Sequence, residues 1–211
     1  MHSVRAVAEE NGAVLSALPS DGIAVFPADD EHTPLWRTMA QMRPVLTFGQ
    51  GGDVSVSQAQ RTEFGWQGRL NCPSRAIAFD FQLNMPGEHN LRNAMAAAAC
   101  ALAADISPKA IASGLAAFAP VAGRSHAQWL QWGSRRITLV DDTYNANPDS
   151  VRAAIDVLAQ LPGPHLLVLG DMGEVGEQGP LFHAEVGRYA RECGIEHLLT
   201  HGTLAETAAQ A

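Results

Sequence analysis

Lysine is almost absent from this sequence: Lys109 is the only one among 211 residues. It lies in the segment SPKA, which has no glycine loop before it. A phosphate loop of the form GxxxxGK[ST] needs glycines that turn backbone amides toward the phosphates and a lysine that reaches their outer oxygens. The sequence therefore contains no phosphate loop of this type. The glycine-rich FGQGGD at 48–53 runs into alternating DVSVS rather than a helix, which indicates a turn between strands.

Positive charge is also scarce, with 14 Lys and Arg against 22 Asp and Glu and a net charge of -8. A nucleic-acid partner is not predicted, because no basic face is available to neutralise a phosphate backbone. No apolar run approaches the ~18 residues needed to cross a bilayer, and the first residues do not resemble a signal sequence. We expect a cytoplasmic protein without membrane insertion.

Cysteines are few and show no metal or disulfide pattern. Cys72, Cys100 and Cys193 are an odd number without CxxC spacing, which fits the reducing cytosol. The close histidine pair, His197 and His201, lies on a predicted strand. Residues four apart on a strand are roughly 13 Å apart, too far to bind one metal ion. We predict no metal site built from protein ligands alone.

The first half of the chain alternates helical and strand patterns. We predict helices at 3–18 and 33–42, strands at 23–26 and 45–48, and an antiparallel β insert at 53–83. An alanine-dense helix follows PGEHN at 86–90. Ser107 is the predicted N-cap of the next helix, with Pro108 at its first position.

The segment APVAGR at 119–124 predicts a domain boundary, which divides the chain into domains 1–122 and 123–211. After it, the pattern predicts strands at 137–140, 165–170 and 197–200, alternating with helices at 148–161 and 180–193. Strand–helix–strand repeats of this length build parallel sheets. We expect the loops after Asp142 and Gly170 to face one cleft from adjacent parallel strands.

Two motifs carry clustered polar side chains. Asn90 and Asn93, in PGEHNLRN, share one face at the start of a helix, where their amides could pair with an adenine edge or simply cap the helix. DDTYNANPDS at 141–150 follows a predicted strand. Helix capping by Asn147 explains the second half of this motif. It does not explain Asp142, Tyr144 and Asn145, and these three residues favour a functional loop.

Two weaker candidates complete the set. GDMGEVG at 170–176 also follows a predicted parallel strand, and its glycines suit either a ligand loop or ordinary turns. Arg124, beside Gly123 at the predicted boundary, suits either a ligand contact or a solvated surface residue.

In their order and spacing, EHNLRNAMAAAA, GR, DDTYNANPDS and LGDMGEVG resemble the Mur ligase family over nearly the whole chain. The sequence DDTYNANP with GDMGE is most similar to the branch that adds D-alanyl-D-alanine to UDP-N-acetylmuramoyl-tripeptide. The resemblance implies an α/β chain: part of a central ATPase domain with a β insert, then a truncated Rossmann-like parallel-sheet C-terminal domain. It implies ATP and Mg²⁺ as cofactors, an acyl phosphate and no covalent nucleophile, in a full-length enzyme that is a monomer.

The same resemblance assigns roles to residues. Asn90 and Asn93 correspond to the family's adenine-contacting asparagines, Arg124 to the arginine that reaches the nucleotide phosphates, and Asp142 to the aspartate that binds the nucleotide. Tyr144 and Asn145 are expected to line the same site.

The family's N-terminal domain, phosphate loop and Mg²⁺ ligands have no counterpart in this sequence. We therefore expect the chain alone to be inactive as an amide-forming ligase. Two alternatives stay open: a non-catalytic nucleotide-binding module of Mur ligase descent, and another Mur or folylpolyglutamate-type ligase.

Overall fold

The structure, a computed structural model, describes residues 3–211, which form two compact units. One unit contains the described residues up to Asn84 together with Asn90–Phe118, and the other contains Met85–His89 and Ala119–Ala211. The predicted domain boundary after residue 122 follows this division closely in the sequence and stays a prediction. Within residues 3–211, no helix combines the length and apolar character that a membrane crossing requires.

The first unit combines a parallel strand pair with an antiparallel sheet. Its elements are α1 (Val4–Ala17), β1 (Ala24–Pro27), α2 (Thr33–Ala40), β2 (Val45–Phe48), β3 (Ser55–Thr62), β4 (Gly65–Cys72), a 3₁₀ turn (Pro73–Arg75), β5 (Ile77–Leu83), α3 (Glu88–Ala103, from Asn90 onward) and α4 (Pro108–Ala117). β1 and β2 are parallel, whereas β3, β4 and β5 are antiparallel neighbours in that order. The predicted α/β alternation and β insert are confirmed.

Short polar side chains set the starts of two helices in this unit. The hydroxyl of Ser3 accepts a hydrogen bond from the N–H of Ala6 at 3.2 Å at the start of α1. At α4, the Ser107 hydroxyl accepts from the N–H of Ala110 at 3.3 Å, and Pro108 occupies the first helical position. Each bond satisfies an N–H that has no partner within the helix. The predicted cap at Ser107 is confirmed.

The second unit contains two strand pairs and three α-helices. Its remaining elements are β6 (His126–Trp132), β7 (Arg135–Asp141), α5 (Pro148–Ala159), β8 (Leu166–Gly170), a 3₁₀ turn (Gly176–Gln178), α6 (Gly179–Glu192), β9 (His197–His201) and α7 (Ala205–Gln210). β8 and β9 pair in parallel. Its apolar core includes Ile155 from α5, Leu169 from β8 and Val186 from α6. The core therefore lies on one face of the parallel pair.

The position of β7 differs from the prediction. β7 pairs antiparallel with β6, a strand that was not predicted, and β8 pairs with β9 in a separate sheet. Among residues 3–211, β7 and β8 are thus not hydrogen-bonded neighbours, and the expectation of adjacent parallel strands is wrong. The pattern of the apolar run ITLV could not reveal this, because a short apolar run reads the same in either strand direction.

Candidate functional site

The loop that follows β7 is shaped by its own polar groups. Asp141 Oδ1 accepts hydrogen bonds from the hydroxyl of Thr143 at 2.7 Å and from its N–H at 3.3 Å. The hydroxyl bond is the main reason why the pKa of Asp141 lies below its ordinary value. Asn147 caps α5 by accepting from the N–H of Ser150 at 2.9 Å, and Ser150 returns a bond to the Asn147 N–H. The capping role proposed for Asn147 is confirmed.

The segment Gly123–Ser125 is fastened to this loop at two points. Asp142 Oδ1 accepts hydrogen bonds from the N–H of Ser125 at 2.7 Å and from its hydroxyl at 3.3 Å. The N–H of Tyr144 donates to the carbonyl of Gly123 at 2.9 Å. Gly123 and Ser125 are buried, so these bonds are shielded from water. Two segments that are separate in sequence are thereby held side by side.

Arg124 lies between the two fastened residues and points its guanidinium at an aromatic ring. The guanidinium carbon is 3.9 Å from the centroid of the Tyr144 ring, a cation–π contact. Both residues are exposed, and Tyr144 exposes 64% of its surface to solvent. Arg124, Asp142 and Tyr144 therefore form one cluster, and Asn145 is exposed on the same loop.

His89 adds a titratable group to this unit. It is half-buried, and burial lowers the pKa of its imidazole, while the negative charges of Asp142 and Asp156 act in the opposite direction. Asp156 also accepts a hydrogen bond from the hydroxyl of Tyr189 at 2.6 Å. His89 belongs to the PGEHNLRN motif, but no role was predicted for it from the sequence. The electrostatic link to Asp142 depends on the fold and left no signal in the sequence.

In the first unit, the two predicted asparagines lie on one face of α3. The Asn93 amide donates to Asn90 Oδ1 at 3.4 Å, and Asn90 is buried while Asn93 is exposed. Neighbouring Arg92 forms a bidentate pair with Asp29, both N–O distances being 2.8 Å. Burial alone would raise the pKa of Asp29, but hydrogen bonds from Arg92 and from the Gln50 N–H outweigh it and hold the pKa below its ordinary value. The Arg92 pair fixes the helix turn that carries both asparagines.

The GDMGEVG loop uses its polar groups to hold the fold together. It follows β8 at the carboxyl end of a parallel strand, as predicted. The N–H of Met172 donates to Nε2 of the fully buried His183 at 2.9 Å, and Nδ1 of this ring lies 2.7 Å from the Gly179 carbonyl. Asp171 Oδ1 accepts from the N–H of Ala205 at 2.7 Å. These hydrogen bonds account for the polar groups of the loop through the fold itself, as expected for ordinary turns.

Two domain families match consecutive parts of the sequence. The Mur ligase middle domain matches residues 1–101, and the Mur ligase glutamate ligase domain matches residues 128–211. The chain belongs to the Mur ligase family. Within this Mur ligase chain, Asn90 and Asn93 lie in the middle-domain match, whereas Asp142, Tyr144 and Asn145 lie in the glutamate ligase domain match.

Curated Mur ligases align along nearly all of this chain. The UDP-N-acetylmuramoyl-tripeptide–D-alanyl-D-alanine ligase of Escherichia coli is 36% identical over 203 residues, which are 95% of this chain and 44% of the relative. The enzyme of the same name from Haemophilus influenzae is 31% identical over 209 residues, which are 99% of this chain and 44% of the relative. The chain thus spans less than half the length of these relatives.

Solved Mur ligase structures share the fold. MurF from Acinetobacter baumannii superposes with a TM-score of 0.86 at 32% identity, covering 97% of this chain and 44% of that one. MurF from Thermotoga maritima, crystallised with ADP, has a TM-score of 0.77 at 24% identity and covers 96% of this chain. The α/β organisation implied by the resemblance is confirmed.

Proposed function

We propose that this chain is part of the ATP-dependent ligase that joins D-alanyl-D-alanine to UDP-N-acetylmuramoyl-tripeptide in peptidoglycan synthesis, in the cytoplasm. Support comes from the two similarly named relatives, which align along 95% and 99% of the chain. In this reaction ATP supplies the phosphoryl group that activates the peptide carboxylate as an acyl phosphate, which the amine of D-alanyl-D-alanine then attacks.

The second unit supplies the charged groups that we assign to the nucleotide. Arg124 is exposed, and the donors on the edge of its guanidinium suit phosphate oxygens. Ser125 holds one oxygen of Asp142, Oδ1, through two hydrogen bonds, which leaves Oδ2 to accept from a sugar hydroxyl. The observation that supports the assignment is the set of hydrogen bonds that joins Gly123 and Ser125 to the loop after β7. These bonds hold Arg124 and Asp142 at neighbouring positions before any ligand binds.

The first unit supplies the groups that we assign to the base. The exposed amide of Asn93 offers a donor and an acceptor side by side, which is what an adenine edge requires. Asn90 is buried and orients that amide through their hydrogen bond. We assign Asn145 to the same nucleotide, and Mg²⁺ to residues outside this chain.

The test is ADP binding by the full-length ligase, measured by calorimetry. Arg124→Gln and Asp142→Asn are each expected to weaken ADP binding about tenfold, the usual scale for one charge-assisted hydrogen bond. Arg136→Gln, on β7, is the matched control and should leave ADP affinity unchanged. Unchanged ADP affinity in both site variants would contradict the assignment of Arg124 and Asp142 to the nucleotide.

A further inference from the structure

The pairing of Arg124 with Tyr144 engages the face of the guanidinium and leaves its edge available. Stacking uses the flat face of the group, whereas its N–H donors lie in the plane and point outward. Arg92 shows the contrast, since Asp29 accepts from two of its donors at 2.8 Å. Among the described residues, no carboxylate pairs with Arg124 in this way. The aromatic contact can therefore orient Arg124 without competing with an anionic ligand.

Tyr144 holds the Arg124 segment through its backbone as well as its ring. Its N–H binds the Gly123 carbonyl at 2.9 Å. Gly123 has φ +78°, and a Cβ there would lie 2.8 Å from the Tyr144 nitrogen, so the two backbones approach too closely for a side chain at position 123. Tyr144 thus contacts two consecutive residues: its N–H binds the Gly123 carbonyl, and its ring stacks on the Arg124 guanidinium.

We propose that Tyr144 is a positioning residue that acts on the nucleotide phosphates through Arg124, and does not bind the adenine itself. An unrestrained arginine has many rotamers and loses that freedom when it binds an anion. The stacked ring removes part of this entropy loss before binding. This inference rests on the proposed function, because it requires Arg124 to contact the phosphates.

A double-mutant cycle in the full-length ligase tests the inference through ADP affinity. Tyr144→Leu should weaken ADP binding about two- to fivefold, the range of an exposed cation–π contact. Tyr144→Phe keeps the ring and should retain the affinity. In an Arg124→Gln background, Tyr144→Leu should have no further effect, because the group through which it acts is gone.

Arg136 over Trp129 provides a matched control, since its guanidinium carbon is also 3.9 Å from a ring centroid in the same unit. Trp129→Leu removes an equivalent contact and should not change ADP affinity. As a direct readout, the Nε–H resonance of Arg124 should carry a ring-current shift in the wild type and in Tyr144→Phe, and lose it in Tyr144→Leu.

The outcomes separate the inference from the function on which it rests. If Arg124→Gln leaves ADP affinity unchanged, the phosphate assignment of Arg124 fails, and the inference fails with it. If Arg124→Gln weakens binding but Tyr144→Leu does not, only the positioning role is overturned. If Tyr144→Leu has its full effect in the Arg124→Gln background, Tyr144 contacts the nucleotide directly, and the positioning role is again overturned.

Discussion

At position 123, the absence of a side chain allows two segments to meet. Gly123 combines a left-handed backbone with a site where a Cβ would lie 2.8 Å from the Tyr144 nitrogen. An alanine would therefore be strained twice, by its backbone conformation and by contact with a backbone atom that cannot rotate away.

Gly123→Ala should lower the free energy of unfolding by about 1 kcal/mol for the backbone strain, with a further loss from the steric contact. Gly133→Ala is the control, because Gly133 also has positive φ, +59°, but nothing lies within 4 Å of its Cβ position. Chemical denaturation of both variants measures the difference. Equal losses would show that the close approach of Tyr144 has no energetic effect.

His89 should make stability depend on pH. Its folded pKa lies below the ordinary histidine value because burial disfavours the charged form. Just below the ordinary value of about 6.5, the unfolded chain therefore binds more protons than the folded one. The free energy of unfolding is expected to fall as the pH drops through this window.

Replacement of His89 tests this expectation. In His89→Gln, denaturation curves at about pH 7.5 and pH 5.5, on either side of the ordinary histidine pKa, should differ less than in the wild type. NMR titration of His89 in Asp142→Asn should give a still lower pKa, because one of the opposing negative charges is removed. A raised pKa in that variant would contradict the electrostatic link.

Residue identities in the site were easier to predict from the sequence than their contacts. The motifs pointed to Arg124, Asp142 and Tyr144, and the structure brings these three together. No sequence pattern indicates that Ser125 donates hydrogen bonds to Asp142, because such bonds depend on where two segments that are distant in sequence meet. Whether Asn90, Asn93 and Asp142 share one ligand stays a prediction.

At the scale of elements, one buried histidine joins a loop to a helix. His183 on α6 accepts from the Met172 N–H, and its other ring nitrogen donates to the Gly179 carbonyl. Both ring nitrogens are thus used, with the proton on Nδ1. An apolar replacement would leave two backbone groups without these partners inside the fold.

His183→Leu is expected to lower the free energy of unfolding by about 2–4 kcal/mol, the sum of two lost buried hydrogen bonds. His201→Leu, on the exposed end of β9, is the control and should change it by less than about 0.5 kcal/mol. Thermal denaturation of both variants gives the comparison. A His183→Leu protein as stable as the control would show that neither bond contributes.

Two helix starts were predicted correctly from local signals, whereas the β6–β7 hairpin was not predicted. Ser107 with Pro108, and Asn147 with Pro148, are local signals whose meaning does not depend on the rest of the chain. The β6–β7 hairpin has a local signal too, Gly133-Ser134 between two strand-like segments, with Gly133 at φ +59°. The assignment of ITLV to a parallel sheet is wrong because its apolar run fits a strand of either direction, whereas Gly133-Ser134 favours an antiparallel pair.

At the scale of the whole molecule, the scarcity of lysine limits what the chain can do alone. Phosphoryl transfer depends on positioning and charge neutralisation of the phosphates. Lys109 is the second residue of α4, after the Ser107 cap and Pro108, and no glycine loop precedes it. The isolated 211-residue chain should bind ATP weakly or not at all and form no amide. A longer reading frame that encodes a GxxGK[ST] loop should restore activity.

Calorimetry with ATP measures the expected weak binding. A coupled phosphate-release assay with UDP-N-acetylmuramoyl-tripeptide and D-alanyl-D-alanine tests whether the isolated chain forms an amide. The full-length ligase serves as the positive control. Turnover by the isolated chain would show that Lys109, or no lysine at all, suffices.

The exposed Lys109 in the first turn of α4 also makes the protein easy to label. In the 211-residue chain, an acylating fluorophore would react with one lysine side chain, the only other reactive amine being the α-amino group. A positive charge in the first turn of a helix opposes the helix dipole, and acylation converts the ammonium group into a neutral amide. Acylation of Lys109 should thus leave α4 slightly more stable, and a dye there would report on this helix by fluorescence anisotropy.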